Sequence, residues 1–249
     1  GQRPKRRTEL LQKRIEALVK SRAPAEKRLA TQQANLETAQ RAKEEMSAQL
    51  REEMKPKRIA VLERRGLRRE KSVEIARKKL EKTVSQRKAH LEDEKKLRQR
   101  LEQFEQDNLE NPQPVEACFR LDAGFGTYGN IALLIEMGYE VYVKLHNHKI
   151  TEMLTLALAG SAREQKNSPD TIWTRVGDNA EMVAWSGLEL QHCPYPLDVA
   201  LERFYTGKTQ KHSALAHFGD TPVISDLPAW FKRYNARQTI EVGIKETKQ

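Results

Sequence analysis

Tyr234, Arg237, Glu241 and Lys248 follow one another at intervals of three, four and seven residues near the end of the sequence. On a helix these intervals put all four side chains on one face, while Ile240, Ile244 and Phe231 fall on another. One side can then pack on a core while the other presents an acid among cationic and aromatic groups. Arginine, lysine and tyrosine hold phosphates, and a carboxylate among them would be repelled by a nucleic acid unless a divalent cation stood between. These residue types in this order point to metal-dependent chemistry on a polyanion. A second acid, Asp122, closes the short apolar run Val115–Leu121 and opens the turn Ala123-Gly124-Phe125-Gly126. Sheets of the α/β kind place functional groups at such strand ends, and glycines there let the backbone turn sharply and leave room for an ion and a phosphate.

The spacing Tyr-x2-Arg-x3-Glu-x6-Lys resembles the YREK signature of bacterial DDE transposases, the cut-and-paste group with an RNase H-like catalytic domain. The run Arg120-Leu121-Asp122-Ala123-Gly124-Phe125-Gly126 resembles the setting of their second catalytic carboxylate. The resemblance covers about residues 115–249. It implies that Asp122 and Glu241 are catalytic and ligate metal in a two-Mg²⁺ site, with Mn²⁺ as a substitute, and that Tyr234, Arg237 and Lys248 contact transposon-end duplex DNA. The implied reaction is phosphodiester hydrolysis and strand transfer in a synaptic homodimer, in the cytoplasm at the bacterial nucleoid. The family's first catalytic aspartate has no match here, because everything before Asp122 reads as helical coil. The expectation is an N-terminally truncated transposase with a helical hairpin ahead of the fourth strand of its sheet, and negligible activity of this chain alone.

Charge divides the chain. Residues 1–110 hold 31 Lys+Arg against 19 Asp+Glu, and residues 111–249 hold 14 against 16, so the whole excess of +10 lies in the first part. A basic arm suits a polyanion such as DNA or RNA. Charged residues make up 32% of the sequence and mean hydropathy is −0.78, so a large part must be solvated helix rather than core. Cys118 and Cys193 lie far apart without ligand spacing and read as reduced. No apolar run is long enough to span a membrane and no signal peptide is visible, which predicts a soluble intracellular protein without a membrane partner.

These residues need elements to position them. Residues 1–7 read as a loose basic lead-in. From Thr8 the pattern is helical, with a break expected at Ser21 to Pro24 and a turn at Met54-Lys55-Pro56. The stretch 57–106 carries Val73, Ala76, Leu80, Val84, Leu91, Leu97, Leu101 and Phe104 near coiled-coil spacing. Two long helices around Pro56 predict an antiparallel coiled-coil hairpin over 1–110. Arg64, Arg65, Arg68 and Arg69 would lie near its tip as DNA contacts. Asn111-Pro112-Gln113-Pro114 ends the helical part. Strand, Asp-bearing turn, helix 130–137 closed by Gly138, and strand 140–145 make an α/β half-unit over 111–160. A helix from Lys149 to Leu158 follows. A β-rich insertion is expected over 161–222, with strands near 171–176, 182–185 and 196–205. The Glu241-bearing helix completes the order over 223–249. The expected architecture is therefore a partial RNase H-like α/β core with a β-rich insertion, preceded by a long antiparallel coiled-coil hairpin.

Within the insertion Lys208, Lys211 and His212 could contact phosphate, and Trp173 or Trp185 could either stack on a base or fill a core. His146-Asn147-His148 lacks the surroundings of a nuclease metal site. Asp170, Asp178, Asp198, Asp220 and Asp226 suit turns or caps better than catalysis. The rival to an enzyme is a non-catalytic coiled-coil protein that binds nucleic acid or acts as a scaffold, in which only the basic hairpin acts.

Overall fold

The computed structural model describes residues 3–53, 55–146, 148–164, 173–207 and 209–236, with the backbone alone for 160–164. The chain forms two compact units, Glu9–Gln103 and a second one made of the flanking stretches.

The first unit is a helical hairpin. Helix α1 (Thr8–Glu52) and helix α2 (Pro56–Leu109) contribute it. They run antiparallel: Arg22 pairs with Glu94, Glu26 with Arg87 and Lys43 with Glu70, so the partner number falls as the α1 number rises. The less exposed positions recur every three or four residues on both helices, which is the signature of a coiled-coil seam. On α1 they include Leu11, Ile15, Leu18, Arg22, Ala25 and Leu29. On α2 they include Leu62, Gly66, Val73, Ala76, Leu80, Thr83, His90, Glu94 and Leu97.

Two expectations need correction. The break at Ser21 to Pro24 is absent, and Pro24 lies inside α1. An internal proline costs a helix about 3 kcal/mol, and here the seam continues on both sides of it through Arg22 and Ala25. Val84 and Leu91 are not seam residues; they are 47% and 42% exposed. The seam runs one position earlier, through Thr83 and His90, because the pattern is set by Leu80 and Leu97, from which Val84 and Leu91 are out of phase.

The second unit is built on one mixed six-stranded sheet. Strands β1 (Cys118–Leu121), β2 (Glu140–Leu145), β3 (Thr174–Arg175), β4 (Ala180–Leu188), β5 (Leu197–Thr206) and β6 (Thr209–Phe218) take the order β1-β2-β6-β5-β4-β3. Among the described strands only β1 and β2 pair in parallel. Helix α3 (Tyr128–Glu136) connects them, capped by the Thr127 hydroxyl and stopped by Gly138 at φ +92. Strands expected as a separate insertion over 161–222 thus continue the sheet begun by 111–160, because β6 pairs with β2 from Val141↔Phe218 to Leu145↔Ala214. Helix α4 (His148–Glu164) packs against β5 and β6. Helix α5 (Leu227–Asn235) starts at the Asp226 cap with Pro228 in its first turn.

Strand alternation sorts the side chains. Tyr142, Met182, Ala200 and Leu215 face α5 and build a core with Val223, Leu227, Trp230 and Tyr234. The lead-in is not loose. Arg7 N–H donates to the Glu136 carbonyl at 2.9 Å, and the Arg6 guanidinium donates to the Met137 carbonyl and pairs with Asp107, both at 2.9 Å. Residues 3–8 therefore belong with the sheet unit, because the carbonyls closing α3 need donors that the helix cannot supply. Among the described residues no helix is long and apolar enough to cross a membrane.

Candidate functional site

Asp122 and Tyr234 line the same cleft, of about 490 Å³, together with Lys144, Glu202, Phe204 and Asn235. Each arrives by a local rule. Strand β1 ends at Leu121 and delivers Asp122, whose carboxylate Oδ1 accepts from the Ala123 N–H at 2.8 Å and caps the short turn Ala123–Phe125. That turn is pressed against β2: a Cβ on Gly126 would lie 2.6 Å from the Lys144 carbonyl oxygen. Gly126 is thus the glycine that the loop requires, whereas a Cβ on Gly124 would meet nothing within 4 Å.

Lys144 interrupts the buried run of β2 and emerges on the α5 side, its Nζ 5.7 Å from the Phe204 ring centre. Glu202 and Ser213 are register partners on β5 and β6, and the Ser213 hydroxyl donates to the Glu202 carboxylate. Tyr234 sits in the last turn of α5, buried in the core cluster. Among the described residues the cleft thus sets one cation and two acids beside aromatic walls. Lys144 and Glu202 do not stand out in the sequence. Their signal is parity: Glu140, Tyr142 and Lys144 alternate along β2 on one face, as do Asp198, Ala200 and Glu202 along β5.

The same face carries a second polar group at its other end. His217, wholly buried, places Nε2 2.9 Å from Glu140 Oε1 and Nδ1 3.6 Å from Asp198 Oδ2. The Tyr142 hydroxyl donates to Glu140 at 3.0 Å and accepts from Arg233 of α5 at 3.3 Å; Arg233 also donates to Thr221 at 3.0 Å. Burial pushes the Glu140 carboxyl up, but hydrogen bonds from Thr221, His217 and Tyr142, with the charge of His217, outweigh it and hold the group below its ordinary value. Burial raises the Tyr142 phenol, and Glu140 adds to the rise. The network ties α5 to β2 and so fixes the helix that carries Tyr234.

The other expected residues divide among several surfaces. Arg237, Glu241 and Lys248 lie outside the described residues, as do Asp170 and Lys208. Arg64, Arg65, Arg68 and Arg69 are exposed on α2. Lys211 falls on the cleft side of β6, opposite Phe204, whereas His212 is the partner of Arg203 on the reverse side. There the Arg203 guanidinium lies 4.4 Å over the Trp173 ring. Burial and the nearby Arg203 charge lower the His212 pKa. Trp185 is half-buried; the fully buried tryptophan is Trp230. Asp226 is a helix cap and Asp198 accepts from Ser186 and Gly187. Both cysteines are free thiols. Among the described residues no group of three or more His, Cys, Asp or Glu is placed to hold a metal ion. Comparison with protein-family models, curated proteins and solved structures finds no match to this chain.

Proposed function

We propose that the chain carries two of the three carboxylates of a DDE transposase of the YREK-signature group, a metal-dependent enzyme that cleaves and joins transposon-end DNA. The observation behind this reading is the cleft that Asp122 and Tyr234 line together from opposite ends of the unit's sequence. Asp122 and Glu202 offer hard oxygen donors of the kind Mg²⁺ takes, and Mg²⁺ commonly takes only one or two carboxylates when substrate phosphates supply the rest. Glu241, as the resemblance implies, would join Asp122 as a ligand. A metal held there would polarise the phosphoryl oxygen and offset its charge.

The chain's own residues do the remainder. Lys144, seated over Phe204, attracts the phosphate that enters the cleft, and its ammonium compensates charge building at phosphorus. The Ala123 N–H fixes the orientation of the Asp122 carboxylate. Tyr234, held in the core, fixes the cleft wall on the α5 side, and Arg237 and Lys248 would grip the DNA beyond it through charge-assisted bonds.

Uptake of Mn²⁺ by the 249-residue chain, followed by electron paramagnetic resonance, tests this reading. Asp122→Asn and Glu241→Gln should each weaken uptake by about tenfold or more, as loss of a charged ligand does. Uptake indifferent to both changes would remove the basis for an enzyme. It would favour the rival, a non-catalytic nucleic-acid-binding or scaffold protein, for which the bare arginines of α2 speak.

A further inference from the structure

Part of the hairpin's charge is compensated where it stands. Arg22, Arg58, Arg77, Arg87 and Arg98 each have a carboxylate within 4 Å, and Lys43 and Lys78 do as well. Among the described residues Arg64, Arg65, Arg68 and Arg69 have none. Between Lys55 and Lys71 the sequence holds eight Lys+Arg against two Glu. Three of the four bare arginines, Arg65, Arg68 and Arg69, line a cleft of about 450 Å³ with Ser72 of the same helix and Met46 of α1. No acid lines it. Intervals of three and four residues bring these side chains onto one face, about 5–6 Å apart at their Cβ atoms.

The seam itself is altered to make this cleft. Arg69 follows Gly66 by three residues and precedes Val73 by four, so its spacing is in phase with the seam residues Leu62, Gly66 and Val73, yet its side chain is exposed and lines the cleft with Met46. Gly66 leaves open space, since a Cβ there would meet nothing within 4 Å. An arginine and a glycine at adjacent positions in phase with the seam forfeit burial that the hairpin needs. Breaches of a local rule without a compensating contact mark functional positions.

We propose that Arg65, Arg68 and Arg69, with the Ser72 hydroxyl, form a binding site for the phosphodiester backbone of duplex DNA. The choice of DNA rests on the transposase reading; the site itself acts without Asp122 or Glu241. Guanidinium groups engage phosphate oxygens in bidentate fashion, and such contacts fix position along a duplex without reading its sequence. Arg64, outside the cleft, contributes only long-range attraction.

Fluorescence anisotropy of the full chain with a mixed-sequence duplex of about 20 base pairs, titrated with salt, tests the site. The triple change Arg65→Gln, Arg68→Gln, Arg69→Gln should weaken binding by about tenfold or more and lower the log–log salt slope by about 2–3, since each phosphate that is no longer neutralised subtracts about 0.9. A control removing equal charge elsewhere on the hairpin, Arg28→Gln, Arg41→Gln, Arg51→Gln, should weaken it less than about threefold. Equal weakening in both variants, or tighter binding to single strands than to duplex, overturns the proposal. Arg69→Leu separates function from folding: it should raise the hairpin's melting temperature while weakening DNA binding, and a lowered melting temperature would make Arg69 structural. Anisotropy read in EDTA, without divalent metal, reports on the hairpin site apart from the metal chemistry, so failure of that chemistry and failure of this site are told apart.

Discussion

The Nε2 atom of His217 lies 2.9 Å from Oε1 of Glu140, joining the neighbouring strands β6 and β2 with the imidazole wholly out of solvent. Removing the ring would leave Glu140 and Asp198 facing a void next to Trp230, whose ring centre is 6.0 Å from that of His217. His217→Ala should cost about 2–4 kcal/mol, because it strips a partner from a buried charged network. Trp230 emission during urea unfolding reports on this unit, and a destabilisation below about 1 kcal/mol would show that the network holds nothing together.

Glu140 gives that network a pH dependence whose sign is fixed. Its carboxyl is held below the ordinary 4.5, so the folded chain prefers the ionised form more than the unfolded chain does. The stabilisation is complete above the ordinary value and disappears as pH falls through the lowered folded one. Stability of the parent chain should drop on acidification below about pH 4.5, and Glu140→Gln should flatten that limb while lowering stability near neutrality. An unchanged acid limb in Glu140→Gln would assign the acid sensitivity to other carboxylates.

The parts legible in the sequence are those set by local rules. The Pro56 turn, β2 at 140–145, Gly138 as the stop of α3 and Asp122 at the end of β1 follow from neighbours in sequence. Strand β6 is hidden because its centre, Ser213-Ala214-Leu215-Ala216-His217, is buried on both faces and so does not alternate. The Glu140–His217 pair is hidden for a related reason: 77 positions separate the two residues, and only the pairing of β2 with β6 brings them together. Lys144 and Glu202 reach the Asp122 cleft through that same pairing.

The two glycines after Asp122 should differ sharply. Gly126→Ala drives a Cβ to within 2.6 Å of the Lys144 carbonyl, and a rigid strand carbonyl cannot yield as a side chain would. The change should cost about 1–3 kcal/mol, the scale of overpacking, and weaken Mn²⁺ uptake by displacing Asp122. Gly124→Ala, in open space, should stay within about 0.5 kcal/mol of the parent. Equal effects of the two changes in parallel unfolding and uptake measurements would mean that the loop does not depend on its approach to β2.

The hairpin seam makes a prediction about two leucines on one helix. Leu97 is 7% exposed and Leu91 is 42% exposed, although either could belong to an apolar stripe when only spacing is considered. Leu97→Ala removes a buried side chain and should cost about 2–4 kcal/mol, whereas Leu91→Ala should cost under about 1 kcal/mol. Far-ultraviolet circular dichroism during heating follows the helices selectively, because they hold most of the helical residues. If Leu91→Ala lowered the melting temperature as much as Leu97→Ala, the seam would have to pass through Leu91 and Val84. Arg69 would then fall out of phase with the seam, and the reason for an arginine beside the gap at Gly66 would go with it.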